Sequence, residues 1–220
     1  KAVNTVKTTL TKMKSGIFRD GNLLDKKFIT TAEKLIKEVL NSRDVMFNLD
    51  DIRHTDDYTF AHSVNVCILT LLIGTSMNLS RRSLEEMAVG ALLHDLGKIW
   101  VEESILKKNG SLTPEEFEEI KRHPVYGYEI LNRQKNISEN SIKVVTQHHE
   151  RCNCTGYPYK LSKSEIHEYA RLVMIVDVFD ALTADRPYRK AMRPHEAIEI
   201  ITSNAESYDI DLVHTFIYHV

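Results

Sequence analysis

The sequence predicts an all-α fold, a helical bundle with a helical extension at its N-terminus. Apolar residues recur at helical spacing along most of the 220 residues, and no ladder of alternating apolar residues stands out. The stretch from Val173 to Val176 has the composition of a short strand, but it lies inside a longer helical pattern. Hydrophobic residues make up 42% of the chain and charged residues 27%, as in ordinary globular domains.

The predicted helices follow one another from residue 30 to residue 219. They cover about 30–41, 58–76, a segment ending near 96, 114–122, 124–131, 138–149, 164–183, 195–206 and 209–219. Loops are expected at 101–113 and 150–163. Residues 1–50 are polar and carry no chemical motif, so they are predicted to form an N-terminal helical subdomain or connector. The functional domain is predicted to cover 51–220.

The helix ending near residue 96 is predicted from one apolar stripe and one glycine. Five residues fall at i, i+3, i+4, i+7 and i+8 and so lie on one face of a helix: Leu84, Met87, Ala88, Ala91 and Leu92. Gly97 can adopt the left-handed conformation that follows many helices. The sequence therefore predicts that this helix ends near Leu96 with Gly97 in that conformation.

The next two helices are predicted from their boundary residues. Thr113, Pro114 and Glu116 have the spacing of an N-cap, a first-turn proline and a capping box. Pro124 disfavours helical geometry in the residue before it, so the first helix should break at His123. Pro124 can then open the second helix.

Composition excludes several classes of function. The net charge of −2 argues against binding a nucleic acid polymer or an anionic membrane. The longest apolar run, 66–74, is too short to span a bilayer. The three cysteines are too few for a disulfide framework and fit a cytoplasmic location. Cys152 and Cys154 lack the two further nearby ligands of a zinc site, so they are expected to be ordinary thiols.

Seven side chains of metal-ligand type stand out from the rest of the chain. Some lie in apolar helical stretches, where an unpaired polar group is costly. They are His62, His94, Asp95, His123, His148, His149 and Asp177. A single histidine on an apolar helix is more often a hydrogen-bonded core residue than a ligand. Seven such groups from five segments favour a shared metal site.

The residue types indicate which ions such a site would bind. Imidazole mixed with carboxylate suits iron, manganese or zinc. A carboxylate has two oxygens, so Asp95 is a candidate bridge between two ions about 3.5–4 Å apart. Neighbouring positions of a helix point about 100° apart, so His94 can bind one ion while Asp95 reaches between two.

At these residues the sequence resembles the HD-GYP family of the HD metal-dependent phosphohydrolases. The resemblance is carried by "DDYTFAHSVNV", "HDLGKI", "LTPEEFEEIKRHPVYGYEIL", "HHER", "GYP", "DVFDALTADRPYRKAM" and "EAI", from about residue 58 to the C-terminus. It implies an HD-domain helical bundle with divalent metal ions, most often iron or manganese. It also implies that a metal-activated hydroxide hydrolyses cyclic di-GMP to pGpG, GMP or both.

The resemblance also implies a role for each site residue. One metal would be bound by His62, His94, Asp95 and Asp177, and the other by Asp95, His123, His148 and His149. Tyr58 stands where some members have a glutamate that binds a third metal, which favours two ions. Asp95 and Lys98 are the predicted catalytic residues, with Lys98 holding a substrate phosphate. The predicted substrate contacts are Lys98, Tyr157, Asp180, Arg186 and Arg189.

Several alternatives stay open at the level of the sequence. Lys98 also suits a cation at a helix C-terminus, and the two arginines suit surface salt bridges. The family usually has aspartate and glycine where this chain has Asn153 and Cys154, which puts the path of this loop in doubt. Another HD-class phosphohydrolase, or a cyclic dinucleotide sensor without turnover, are the competing functions. An upstream sensor or receiver domain and a homodimer are further partners left open.

Overall fold

The computed structural model describes residues 58–185 and 190–220, and these residues form a bundle of α-helices. In chain order the elements are α1 (Tyr58–Ser76), α2 (Arg81–Leu93), a 3₁₀ turn (Leu96–Trp100), α3 (Glu103–Leu106), α4 (Pro114–Ile120), α5 (His123–Leu131), α6 (Glu139–Gln147), α7 (Glu168–Thr183), α8 (Pro194–Ser203), a second 3₁₀ turn (Ala205–Ser207) and α9 (Ile210–His219). These residues contain no β-strand beyond one isolated bridge between Asn153 and Ser162. The all-α prediction is confirmed.

The predictions for the first 57 residues lie outside the described part of the chain. They concern the helix at 30–41, the subdomain at 1–50 and the domain boundary that follows it. These stay predictions.

Local hydrogen bonds explain where several helices begin. The hydroxyl of Thr113 accepts a hydrogen bond from the backbone N–H of Glu116, and the Glu116 carboxylate accepts one from the N–H of Thr113. This reciprocal pair is the predicted capping box, and Pro114 takes the first turn as expected. The hydroxyls of Ser80 and Ser138 cap α2 and α6 in the same way, each accepting from an N–H three residues later.

The predicted left-handed conformation of Gly97 is wrong. The backbone of Gly97 is not at positive φ, and α2 ends at Leu93, before the first 3₁₀ turn. A Cβ atom at this position would lie 1.9 Å from the carbonyl oxygen of His123 and 2.5 Å from the backbone nitrogen of Gly127. Glycine is needed here because the 3₁₀ turn and α5 approach each other backbone to backbone.

Several other boundaries differ from the sequence prediction, and α8, for example, ends at Ser203 and not at 206. Helix α7 begins at Glu168 rather than near 164, because His167 sits outside the helix and its ring nitrogen accepts from the N–H of Tyr169. The predicted loop at 101–113 contains the short helix α3.

Helices α1 and α7 form the centre of the bundle. Helix α1 packs against α2, α7 and α9, and α7 also packs against α6 and α8. The run from Leu172 to Val176 is buried without interruption, which is expected of a helix covered on all sides. Polar side chains on these two helices, His62 and Asp177 among them, are therefore held inside the protein. None of the described helices is long and apolar enough to cross a lipid bilayer.

Candidate metal centre

The structure brings together all seven side chains that the sequence identified as metal-ligand types. They come from α1, the end of α2, the start of α5, the end of α6 and the middle of α7. Their ligand atoms form two groups, each with atoms within 4.8 Å of one another. The first group is His62, His94 and Asp177, and the second is Asp95, His123, His148 and His149. All are buried except His149, whose side chain is 20% exposed.

Asp95 lies between the two groups. Its Oδ2 atom is 3.5 Å from Nε2 of His94, which belongs to the first group. Its Oδ1 atom is 3.4 Å from Nε2 of His123 and 4.0 Å from Nε2 of His148, which belong to the second group. One oxygen therefore faces each group, which is the arrangement that a bridging carboxylate requires.

Three of the histidines are oriented by the same local hydrogen bond. The Nδ1–H groups of His94, His123 and His148 donate to the carbonyl oxygens of Ala91, Ile120 and Val145, each three residues earlier, at 2.7, 2.7 and 2.9 Å. A carbonyl can only accept, so Nδ1 carries the proton in each ring. The lone pair of each Nε2 is then left to bind a cation.

Asp180 orients a fourth histidine. Its Oδ2 atom accepts a hydrogen bond from Nδ1 of His62 at 2.8 Å, and Nε2 of the same ring lies 3.0 Å from Oδ1 of Asp177. Asp180 is only 1% exposed. The sequence interpretation placed Asp180 among the substrate contacts, and the structure instead places it behind His62. Its position three residues after Asp177, on the same helix face, is the signal in the sequence that could have indicated this contact.

The cluster has the properties of a cation site. Nε2 of His94 and Oδ1 of Asp95 are buried and have no hydrogen-bond partner among the described residues. The Nε2 atoms of His123 and His148 lie 3.2 Å apart, although both rings carry their proton on Nδ1. Facing lone pairs and bare buried acceptors are costly unless a positive charge lies between them. The donor set therefore fits bound metal.

Burial and charge set the protonation of these groups. Burial disfavours the charged form of Asp95, but Lys98 and the neighbouring histidines hold the pKa of this carboxyl well below its usual range. Burial lowers the pKa of His123 to about 4. Burial also opposes protonation of His62, yet its hydrogen bonds to Asp177 and Asp180 raise the pKa of this histidine to about 10. The carboxylates that attract a proton to His62 would equally attract a metal cation.

Two further predicted site residues border the cluster. The Nζ atom of Lys98 donates to Oδ2 of Asp95 at 2.7 Å, and its side chain is 30% exposed, so it connects the cluster with solvent. The ring of Tyr157 lies against the ring of His149, with 4.7 Å between ring centres. Arg186 and Arg189 lie outside the described residues and stay predicted substrate contacts.

Hydrogen bonds hold the loop that follows α6 against His149 and Glu150. The buried carboxylate of Glu150 accepts hydrogen bonds from the backbone N–H groups of Tyr159 and Leu161. The N–H of Tyr157 donates to the carbonyl of His149 at 3.1 Å. Glu150 was not identified from the sequence, and only its place directly after the two histidines signals a role. The loop thus holds Tyr157 on His149.

The two unusual residues of this loop are accommodated differently. The side-chain oxygen of Asn153 accepts from the N–H and the hydroxyl of Thr155, a turn that aspartate would make equally well. Cys154 has a φ of 63°, the left-handed region that favours glycine. The sequence interpretation questioned the loop at this residue, and the backbone does carry the strain there.

Fold and cluster together define a helical protein with a buried histidine–carboxylate centre able to hold metal ions. The chain belongs to the HD domain family, whose model matches residues 34–212. This agrees with the resemblance seen in the sequence.

Similar curated proteins are phosphodiesterases of cyclic dinucleotides. A cyclic di-GMP phosphodiesterase of Pseudomonas aeruginosa is 34% identical over 205 residues, which are 91% of this chain and 50% of that protein. One from Thermotoga maritima is 34% identical over 192 residues, 86% of this chain and 51% of that protein. The 3'3'-cGAMP-specific phosphodiesterase 3 of Vibrio cholerae is 35% identical over 67% of this chain and 32% of that protein. The chain spans about half the length of the first two relatives.

Solved structures share the fold. The HDG"Y"P protein Bd1817 of Bdellovibrio bacteriovorus matches with a TM-score of 0.75 at 19% identity, covering 97% of this chain and 70% of that one. A cyclic GMP-AMP phosphodiesterase of Vibrio cholerae matches with a TM-score of 0.58 at 16% identity, covering 85% of this chain and 48% of that one.

Proposed function

We propose that this chain is a metal-dependent phosphodiesterase domain that hydrolyses cyclic di-GMP to pGpG, GMP or both. The observation that carries this proposal is the pair of ligand groups that share Asp95. The curated relatives from Pseudomonas aeruginosa and Thermotoga maritima, both named cyclic di-GMP phosphodiesterases, support the substrate.

The centre would hold two divalent ions, iron or manganese in preference to others. Mixed imidazole and carboxylate ligands suit these metals. The ligands proposed for each ion are those that the family resemblance implies, and Asp95 belongs to both sets. When bound, the ions supply a hydroxide nucleophile near neutral pH and Lewis-acid stabilisation of the phosphoryl oxygens. The presence of Tyr58 at the position of the third-metal glutamate favours two ions over three.

The protein's own groups position the substrate and stabilise charge. Lys98 reaches from Asp95 toward solvent, so its ammonium can hold a phosphate oxygen of the scissile diester. Charge on the phosphoryl oxygens grows during attack, and a fixed cation there stabilises the transition state. Tyr157, whose ring contacts that of His149, would offer a flat surface to the substrate. Arg186 and Arg189 would bind phosphate or a guanine edge through their guanidinium forks.

A second substrate is favoured by specific relatives. Three of the similar Vibrio cholerae proteins are named 3'3'-cGAMP-specific phosphodiesterases. Cyclic GMP-AMP differs from cyclic di-GMP in one base and keeps both phosphodiesters. The buried ligand cluster would serve either substrate equally, so base specificity must come from residues outside it.

The test is turnover by protein loaded anaerobically with iron or manganese. We expect Asp95→Ala to lose both metal and activity, because this carboxylate serves both groups. Asp211→Ala, an exposed aspartate on α9, is the matched control and should keep both. Cyclic di-GMP, cyclic GMP-AMP and cyclic di-AMP are compared by chromatography of the products. Normal turnover by Asp95→Ala would refute the bridge, and tight binding without product would favour a sensor.

The cysteine content bears on the cellular setting. The three cysteines, at 67, 152 and 154, are all free thiols. A cytoplasmic location therefore stays a prediction from cysteine chemistry. An attached sensor or receiver domain and a homodimer also stay predictions.

A further inference from the structure

A second lysine lies at the rim of the metal centre. The Nζ atom of Lys121 is 4.7 Å from the ring centre of Phe117 and 5.8 Å from that of Tyr157. Tyr157 in turn contacts His149. A cation, an aromatic ring and a predicted ligand therefore follow one another from the solvent side to the centre.

The position of this lysine is fixed by the helix that carries it. Phe117 lies on α4, and Lys121 directly follows the last residue of this helix with helical backbone angles. The two side chains are four residues apart and therefore lie on the same face. The capping box holds the start of the helix. His123, two residues later, is fully buried among the ligands. The C-terminal end of α4 is therefore held against the centre, and the ammonium group of Lys121 lies close to Tyr157.

Lys121 is free to exchange its partner for a ligand. Its side chain is 28% exposed, and its Nζ donates to Oε1 of Glu118 at 2.6 Å. The Glu118 side chain is 69% exposed, and such solvent-exposed pairs contribute little to stability. An incoming phosphate can replace this carboxylate at small cost and keep the lysine paired.

We propose that Lys121 binds the second, unreacted phosphodiester of the cyclic dinucleotide. This inference rests on the proposed function. A cyclic dinucleotide carries two phosphodiesters in one ring, and only one can lie at the ions and Lys98. The other must lie near the rim, where Lys121 supplies a cation and Tyr157 a flat surface between the two sites. Charge-assisted hydrogen bonds of this kind are among the stronger polar contacts.

The test compares a two-phosphate substrate with a one-phosphate substrate. In manganese-loaded protein we expect Lys121→Met to raise KM for cyclic di-GMP on the order of tenfold, as expected for losing one charge-assisted contact. The kcat value should stay within about twofold, since the reacting phosphate is untouched. The KM for bis(p-nitrophenyl) phosphate, which has a single phosphodiester, should not change.

Three variants serve as controls. Arg122→Met removes a neighbouring cation that pairs with Glu119 and lies over Tyr126, and it should leave both KM values unchanged. Lys121→Arg should restore the KM for cyclic di-GMP. Glu118→Gln should lower the KM for cyclic di-GMP below the wild-type value, because the carboxylate charge that competes for Lys121 is gone. If Lys121→Met fails to fold, the KM of Glu118→Gln for cyclic di-GMP is the measurement that tests the role of Lys121.

The outcomes separate this inference from the proposed function. Equal losses on both substrates, or no loss beyond that of Arg122→Met, would overturn the role of Lys121 while leaving the phosphodiesterase intact. If the wild type binds cyclic di-GMP in calorimetry without hydrolysing it, the phosphodiesterase fails, and a tenfold weaker binding by Lys121→Met still supports the lysine. A wild type that neither binds nor hydrolyses it overturns both.

Discussion

At the scale of single residues, His62 depends on a partner that is 118 positions away in the sequence. The Oδ2 atom of Asp180 accepts a hydrogen bond from Nδ1 of His62 at 2.8 Å, and both side chains are buried. A carboxylate behind a ligand histidine fixes the ring and raises its basicity. We therefore infer that Asp180 positions His62 and does not itself contact the reacting atoms.

We expect Asp180→Asn to weaken metal binding by roughly 10-fold or more, the usual effect of losing such a partner. Asparagine keeps the shape but lacks the negative charge. Affinity is measured by titrating Mn²⁺ into metal-free protein, with the exposed Asp211→Asn as the control. Equal affinities in the two variants would mean that the carboxylate charge does not act on His62.

Cys154 shows strain at a single backbone position. Its φ of 63° costs a residue with a Cβ about 1 kcal/mol. We expect Cys154→Gly to raise the free energy of unfolding by a similar amount, about 1 kcal/mol, measured by urea denaturation. Cys154→Ala loses the thiol but keeps the Cβ, so it should not stabilise. If both variants stabilise equally, the thiol and not the backbone is the cause.

At the scale of elements, the approach of α5 to the first 3₁₀ turn fixes the second ligand group. His94 and Asp95 precede this turn and His123 begins α5, so their distance depends on the contact at Gly97. A side chain there would meet backbone atoms, which cannot move aside without moving a ligand.

We expect Gly97→Ala to destabilise the protein by about 3 kcal/mol, at the upper end of overpacking effects, and to weaken metal binding as well. Gly74→Ala is the matched control. Its Cβ would meet only side-chain atoms, the terminal methyl group of Met87 at 2.5 Å and Cδ2 of Leu84 at 2.8 Å. These ends of side chains can shift by rotation, and alanine favours the helix. Thermal unfolding and metal titration check both variants. Similar losses at the two positions would show that the backbone contact at Gly97 is not special.

At the scale of the whole molecule, the candidate metal centre joins five segments that are far apart in the chain. The candidate ligands lie on α1, directly after α2, at the start of α5, directly after α6 and on α7. An ion bound only by the folded state adds its binding free energy to stability. The centre is therefore expected to act as a cross-link as well as a reaction site.

We expect saturating Mn²⁺ to stabilise the protein by about 2.7 kcal/mol at a hundredfold excess over Kd. This corresponds to a rise in Tm of roughly 5–10 °C for a domain of this size. Calorimetry with and without a chelator measures it, and Asp95→Ala should show no rise. A Tm that is indifferent to metal in the wild type would contradict the cross-link.

The sequence identified the seven clustered side chains because each lies in a recognisable local motif. The capping box at Thr113 was equally readable, since it needs only residues three apart. The conformation of Gly97 could not be predicted from the sequence, because it depends on the backbone of His123. Only the folded chain brings these two residues together. The contact between Asp180 and His62 was not predicted for the same reason, since 118 positions separate the two residues. Local patterns predicted elements and ligand types, and contacts across the bundle decided the rest.

The carbonyl groups that orient His94, His123 and His148 all belong to the closing turns of helices, α2, α4 and α6. The last four carbonyls of any helix lack a partner inside it. Adding or deleting one residue at such a terminus would rotate the ring by about 100° and leave the oxygen bare. An insertion or deletion at any of these three termini would therefore turn a histidine away from the cluster, so the position of the histidine fixes the residue at which each helix ends.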